Sequence, residues 1–205
     1  MGHKGAGHRL ISSFNTSLLV WKNLTLLDID GQKYGSVAAA LHWIMAALVI
    51  ALIALGKLVD VFPKSYEPFI VETHKAVGVI VLLLALFRLT WRLTHRVPPL
   101  PSGTPFWQVF AAHGAHWTFY ALMLILPVSG IAWQFLRGRG NDFWLFAINS
   151  PFVDDRAAAK LYSQTHRLLG DVILILVIVH IAAALYHQFF RRDGLIFRML
   201  PRRGA

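Results

Sequence analysis

The chain of 205 residues contains no cysteine. That absence excludes disulfides, thiolate-held iron–sulfur clusters and haem attached through a Cys-x-x-Cys-His motif, so any haem would have to be held non-covalently. Charge is scarce as well. Charged residues make up 15% of the sequence, where a soluble domain carries about 25%, and 56% of the residues are hydrophobic, which places the chain in the membrane class. Acidic residues are the rarest charge, 10 against 20 lysines and arginines. A formal charge of +10 could suggest nucleic acid. The basic residues flank apolar runs instead of lining a soluble face, however, and membrane topology accounts for them with no nucleic-acid partner.

Four apolar segments are long enough to cross a bilayer, near Val37 to Leu58, Ile70 to Trp91, Ala111 to Leu136 and Leu161 to Phe190. The expected fold class is therefore all-α, an integral membrane four-helix bundle. Pro127 and Gly130 predict a kink late in the third span, where the freed carbonyl must be shielded by neighbouring helices. The fourth span is longer than a bilayer requires, so its first turns should project from the hydrocarbon. Pro98, Pro99 and Pro101 make the link from Arg96 to Thr104 a stiff, extended one. The connection between spans three and four is nearly thirty residues, rich in Gly, Asn, Asp and aromatics, a length typical of functional or flexible loops.

Four spans put both termini and the middle link on one side. That side holds 12 of the 20 lysines and arginines, and the opposite side 8. The basic excess predicts a multi-pass membrane protein with both termini cytoplasmic. Residues 1–33 have a basic start, a weakly apolar stretch from Leu10 to Val20 and no small-residue cleavage site. They read as a disordered or cytoplasmic extension preceding a transmembrane domain over residues 34–205, and not as a signal peptide.

Ten histidines punctuate this chain. His166 and His180 lie fourteen residues apart in the fourth span, close to four helical turns, so their side chains share one face about 21 Å apart along the axis. His42 and His74 begin the first and second spans. In all four cases the residue four positions on is small: Ala46, Gly78, Gly170 and Ala184. A small residue one turn from a ligating histidine lets a porphyrin approach the backbone. His113, His116 and His187 are followed instead by Trp117, Tyr120 and Arg191, and His3, His8 and His95 lie outside the spans. Topology pairs the four by depth. His42 and His180 fall in the terminal-side half, His74 and His166 in the opposite half, which is the arrangement two stacked non-covalent b haems need.

Other residues carry less specific readings. Arg88 follows His74 by fourteen residues and lies at the level of the other pair, where it could meet a haem propionate or snorkel to the interface. His187 follows His180 by seven residues and could hydrogen-bond a quinone carbonyl or be solvated. His113 and His116, at i and i+3, have no acidic third ligand nearby. A histidine-lined transition-metal transporter would also place histidines in spans, but the spans hold almost no carboxylates.

The chain resembles the bacterial four-helix dihaem cytochrome b561 family, in particular its superoxide oxidase-like branch. The resemblance runs over about residues 33 to 203. It rests on Lys33-Tyr34 ahead of Leu41-His42-Trp43, Phe62-Pro63-Lys64-Ser65 ahead of His74, and Arg88 with Arg92. It continues through Ala112-His113-Gly114-Ala115-His116, Leu126-Pro127-Val128-Ser129-Gly130, Arg137-Gly138, His166, the run His180-Ile181-Ala182-Ala183-Ala184-Leu185-Tyr186-His187, and Met199-Leu200-Pro201-Arg202. It implies haem iron ligation by His42, His74, His166 and His180, and a quinone contact at His187. The sequence departs from the family in residues 1–33 and in the composition of the loop from Arg137 to Thr165, which would meet the electron donor.

The histidine pairs imply transmembrane electron transfer by two haems with no open coordination position, and the resemblance implies that superoxide is oxidised at the periplasmic face and ubiquinone reduced. Lys75 and Arg167, each directly after a ligand, with Lys64, Arg137, Arg139 and Lys160 in outer loops, would supply a positive field for a small anion. The alternative with the same architecture is a cytochrome b subunit that takes electrons from a partner hydrogenase or formate dehydrogenase.

Overall fold

The computed structural model describes residues 33–100, 103–143 and 146–200. The N-terminal extension, apart from Lys33, lies outside them, as do Pro201 and Arg202. Four long helices run over Ser36–Leu58 (α1), Glu67–Thr94 (α2), Phe106–Leu136 (α3) and Arg156–Tyr186 (α4). All four are long and apolar enough to cross a membrane. Many of their large apolar residues, among them Ile44, Leu83, Phe110 and Ile175, face outward. That is the pattern of helices solvated by lipid.

Each helix begins and ends for local reasons. Pro68 sits in the first turn of α2, where its missing N–H costs no bond. Asp155 caps α4, its carboxylate accepting the Ala158 N–H at 3.0 Å. That cap starts α4 five residues before the sequence-based boundary, so the third connection is shorter than expected, residues 137–155, and Lys160 stands on a helix and not in a loop. The connection folds into a small antiparallel hairpin, Asn141–Asp142 (β1) with Ala147–Ile148 (β2). Gly140 has to be glycine there, because a Cβ would meet the Ile148 carbonyl at 2.8 Å.

At the terminal end, the chain closes on itself. The Tyr34 N–H donates to the Arg198 carbonyl at 3.1 Å, and the buried Arg198 side chain donates to the Pro99 carbonyl at 2.7 Å. These bonds join the start of α1, the proline-rich link and the C-terminal 3-10 turn Leu195–Met199.

Packing within the bundle is uneven. α1 packs on α2, α2 on α3 and α3 on α4, whereas the backbones of α1 and α2 scarcely approach α4. The core cluster reflects this. Met45 and Val49 of α1, Val81 and Ala85 of α2, and Tyr120, Leu122 and Met123 of α3 meet a single buried residue of α4, Ile173. Ile173 lies seven residues from both His166 and His180, so it shares their face midway between them.

A candidate dihaem site between α4 and helices α1 and α2

The space between α4 and its partners is crossed by histidines. His42 of α1 and His180 of α4 have ring centroids 6.2 Å apart, and His74 of α2 and His166 of α4 are also 6.2 Å apart. At metal–imidazole bonds of about 2.0–2.1 Å, two rings facing each other across one metal ion have centroids about 6 Å apart. Two such pairs bridge a gap that the backbones leave open. Each pair therefore has the donor set and the spacing of a bis-imidazole site.

At the pair remote from the terminal end, His74 with His166 (the outer pair, His42 with His180 being the inner one), the neighbouring helices are shaped to receive the rings. A Cβ at Gly56 of α1 would stand 3.3 Å from His74 Cε1, and one at Gly130 of α3 would stand 3.1 Å from His166 Cε1. Both glycines are cradles that a larger residue would close. His166 is also fixed by hydrogen bonds, with its Nδ1 3.0 Å from the Leu126 carbonyl and 2.9 Å from Ser129 Oγ, while Ser129 donates to the same carbonyl at 2.7 Å. A carbonyl only accepts, so His166 Nδ1 carries the proton and Nε2 keeps its lone pair for a metal. The helix runs on through Pro127, and the Leu126 carbonyl beside it is the oxygen that receives His166. Lys57 at the end of α1 forms an ion pair with Asp171 of α4 nearby.

A Cβ added at Gly78 or Gly170, one turn after His74 and His166, would meet nothing within 4 Å.

The inner pair has different surroundings. Phe119 stands edge-on to His180 at 5.3 Å. Arg88 donates through Nε to the buried Tyr120 hydroxyl at 3.3 Å and reaches to 3.5 Å from His42 Nδ1, the outer limit of a hydrogen bond. Arg92, one turn on, lies over the Tyr120 ring at 5.9 Å. Neither arginine forms an ion pair with a carboxylate among the described residues. Both arginines are half-buried beside Tyr120, a setting whose charge suits an anion.

His116 is a residue that sequence reasoning set aside. The structure brings it to 6.4 Å from His180, nearly as close as His42. Its i,i+3 partner His113 is exposed, so the two do not form one site. The signal that could have found His116 is its place one turn before Tyr120, the residue that both arginines engage. His95, outside the spans, stacks on Trp91 at 3.7 Å at the helix end.

The basic residues proposed to attract an anion are differently placed. Lys64 is shared between Asp60 at 3.4 Å and Glu67 at 3.3 Å, which reduces its field. Arg137 lies over the Trp133 ring at 5.9 Å, and that ring is 6.3 Å from His166, forming a contact path from the outer loop to the outer pair. Arg139, Lys160 and Arg167 are exposed, and Lys75 is half-buried.

Beyond α4 the chain makes one π-helical turn, His187–Arg191, followed by Arg192 in the left-handed region at φ 53° and Gly194 at φ 71°. A left-handed non-glycine residue costs about 1–2 kcal/mol, and π turns are rare and concentrated at functional sites. This turn brings Asp193 back to His187, with Oδ2 2.5 Å from Nδ1.

A sequence model of the prokaryotic cytochrome b561 family matches residues 33–202. The chain belongs to the prokaryotic cytochrome b561 family. Among its relatives, "Probable superoxide oxidase CybB" of Yersinia pestis is 30% identical over 175 residues, covering 84% of this chain and 98% of that protein. "Cytochrome b561 homolog 1" of Escherichia coli K12 is 31% identical over 174 residues, covering 83% and 98%. "Cytochrome b562" of Cereibacter sphaeroides is 29% identical over 174 residues, covering 82% and 94%. As a cytochrome b561 with four spanning helices, the chain is a multi-pass, haem b-binding electron-transfer protein of the prokaryotic inner membrane.

Proposed function

We propose that this cytochrome b561 holds two b haems, one between His74 and His166 and one between His42 and His180, and carries electrons across the membrane from superoxide to ubiquinone. The observation that carries the reading is the pair of 6.2 Å histidine contacts spanning the gap between α4 and helices α1 and α2. A haem held between two histidines in this way would supply one-electron transfer.

The protein's residues set the terms of that transfer. Leu126 and Ser129 hold His166 in the tautomer a metal needs, while Gly56 and Gly130 let the outer imidazoles sit tight against their neighbours. Arg88 and Arg92 offer positive charge to a propionate at the inner pair. Ile173 fills the face of α4 between the two levels and excludes water from it. On the outer side, Arg137, stacked over Trp133, presents a cation beside the route to His166, where an anionic donor would be drawn in. At the other end His187 would contact the quinone. The basic excess at the terminal end supports cytoplasmic termini, which would turn the outer pair toward the periplasm.

Superoxide as donor is supported by the relative named a probable superoxide oxidase and by the exposed basic residues at the outer end. The purified protein, loaded with two haems, should reduce a short-chain ubiquinone when superoxide is generated around it. The rate should fall steeply with added salt. Haem reduction only after a partner dehydrogenase is supplied would overturn the superoxide reading in favour of a dehydrogenase subunit. Absence of a haem spectrum would overturn the electron-transfer reading itself.

A further inference from the structure

The turn after α4 pairs the proposed quinone contact, His187, with a carboxylate that the electron path does not use, Asp193. His187 Nδ1 lies 2.5 Å from Asp193 Oδ2, with the two side chains 18% and 20% exposed. The other carboxylate oxygen of Asp193 accepts the Leu195 N–H at 3.2 Å. Among the described residues, Asp193 is the only acid at this end of the bundle, an end that also carries Arg88, Arg92, Arg191, Arg192 and Arg198. A lone carboxylate among arginines would be expected to pair with one of them. Here the chain adopts a π turn and a left-handed arginine that commit it to a histidine instead.

We propose that Asp193 is a positioning residue for proton delivery to the quinone, holding the His187 Nδ1–H so that Nε2 faces the quinone oxygen. The proposal rests on the reading that His187 contacts the quinone. Reduction of a quinone to the quinol takes two electrons and two protons. The electrons come from two superoxide ions, each leaving as dioxygen. One proton passes from His187 Nε2 to the quinone oxygen it faces, breaking an N–H bond and forming an O–H bond, and the second proton reaches the far oxygen from solvent. The imidazole keeps its Nδ1–H on Asp193 and takes up a proton again at Nε2 from solvent at this end.

The test uses the haem-loaded protein in lipid nanodiscs, reduced anaerobically with stoichiometric dithionite and mixed rapidly with a short-chain ubiquinone. Reoxidation of the haem α-band is followed in H2O and D2O. Asp193→Asn keeps an oxygen for the Leu195 N–H. It should slow reoxidation at saturating quinone about 10- to 100-fold and raise the solvent isotope effect, while the half-saturating quinone concentration stays within about twofold. Haem content should be unchanged, and Asp193→Glu should recover most of the rate. A normal rate in Asp193→Asn with a slow His187→Gln would overturn the role of Asp193 and leave the quinone reading standing. A normal rate in His187→Gln, or wild-type haems that quinone does not reoxidise, would overturn both.

Discussion

The two histidine pairs have the same ring separation and opposite surroundings. The outer pair is held by backbone, with glycines in two neighbouring helices pressed against the rings and a carbonyl fixing the His166 proton. The inner pair is surrounded by side chains, namely two arginines, a buried tyrosine, a phenylalanine and a third histidine. Steric fit dominates the first and charge the second. The outer site should thus be sensitive to volume and the inner site to charge.

Removing ligands should give the largest effects. His74→Ala or His166→Ala is expected to lose the outer haem, and His42→Ala or His180→Ala the inner one, each leaving one haem per chain by pyridine haemochrome assay. A single variant that loses both would break the separation into two sites. Next comes Gly130→Val, whose side chain must displace His166. It should lower outer-haem occupancy, with affinity falling about 10- to 100-fold, the range seen when groups supporting a metal ligand are disturbed. Gly56→Val should act in the same direction at His74, and the inner haem spectrum should survive both. Ser129→Ala keeps the Leu126 carbonyl and should weaken the outer site by about tenfold or less on the same scale.

At the inner site the probe is charge. Arg88→Gln removes a positive charge that favours the reduced state, so the inner haem midpoint potential should fall by on the order of 50 mV, with the outer one unmoved in a redox titration. An equal shift of both potentials would mean that the two surroundings are not independent. The smallest effect is expected from His116→Ala, which should retain both haems with low-spin spectra. Loss of the inner haem there, with retention in His42→Ala, would reassign the partner of His180.

Helical periodicity is a local property, and what depends on it was legible without coordinates. The four spans follow from apolar length, and the common face of His166, Ile173, His180 and His187 follows from a seven-residue repeat near two turns. Chain direction alone also sets depth, so His42 falls at the level of His180 and His74 at the level of His166. Boundaries were less legible. The Asp155 cap lengthened α4, and the hairpin at Asn141–Asp142 lacked a strong strand pattern.

What tertiary structure alone decided is which side chains meet across helices, since rotation and approach depend on packing that no single segment encodes. Gly130, read as part of a kink, is the seat of His166, and Gly56 carried no signal for its contact with His74. His116 reached the inner pair because α3 packs between α2 and α4. Asp193 met His187 only through a left-handed turn. The sequence by itself determined the spans, the levels and the four histidines at them. The tertiary structure decided what surrounds each level, because that depends on how neighbouring helices are turned toward one another.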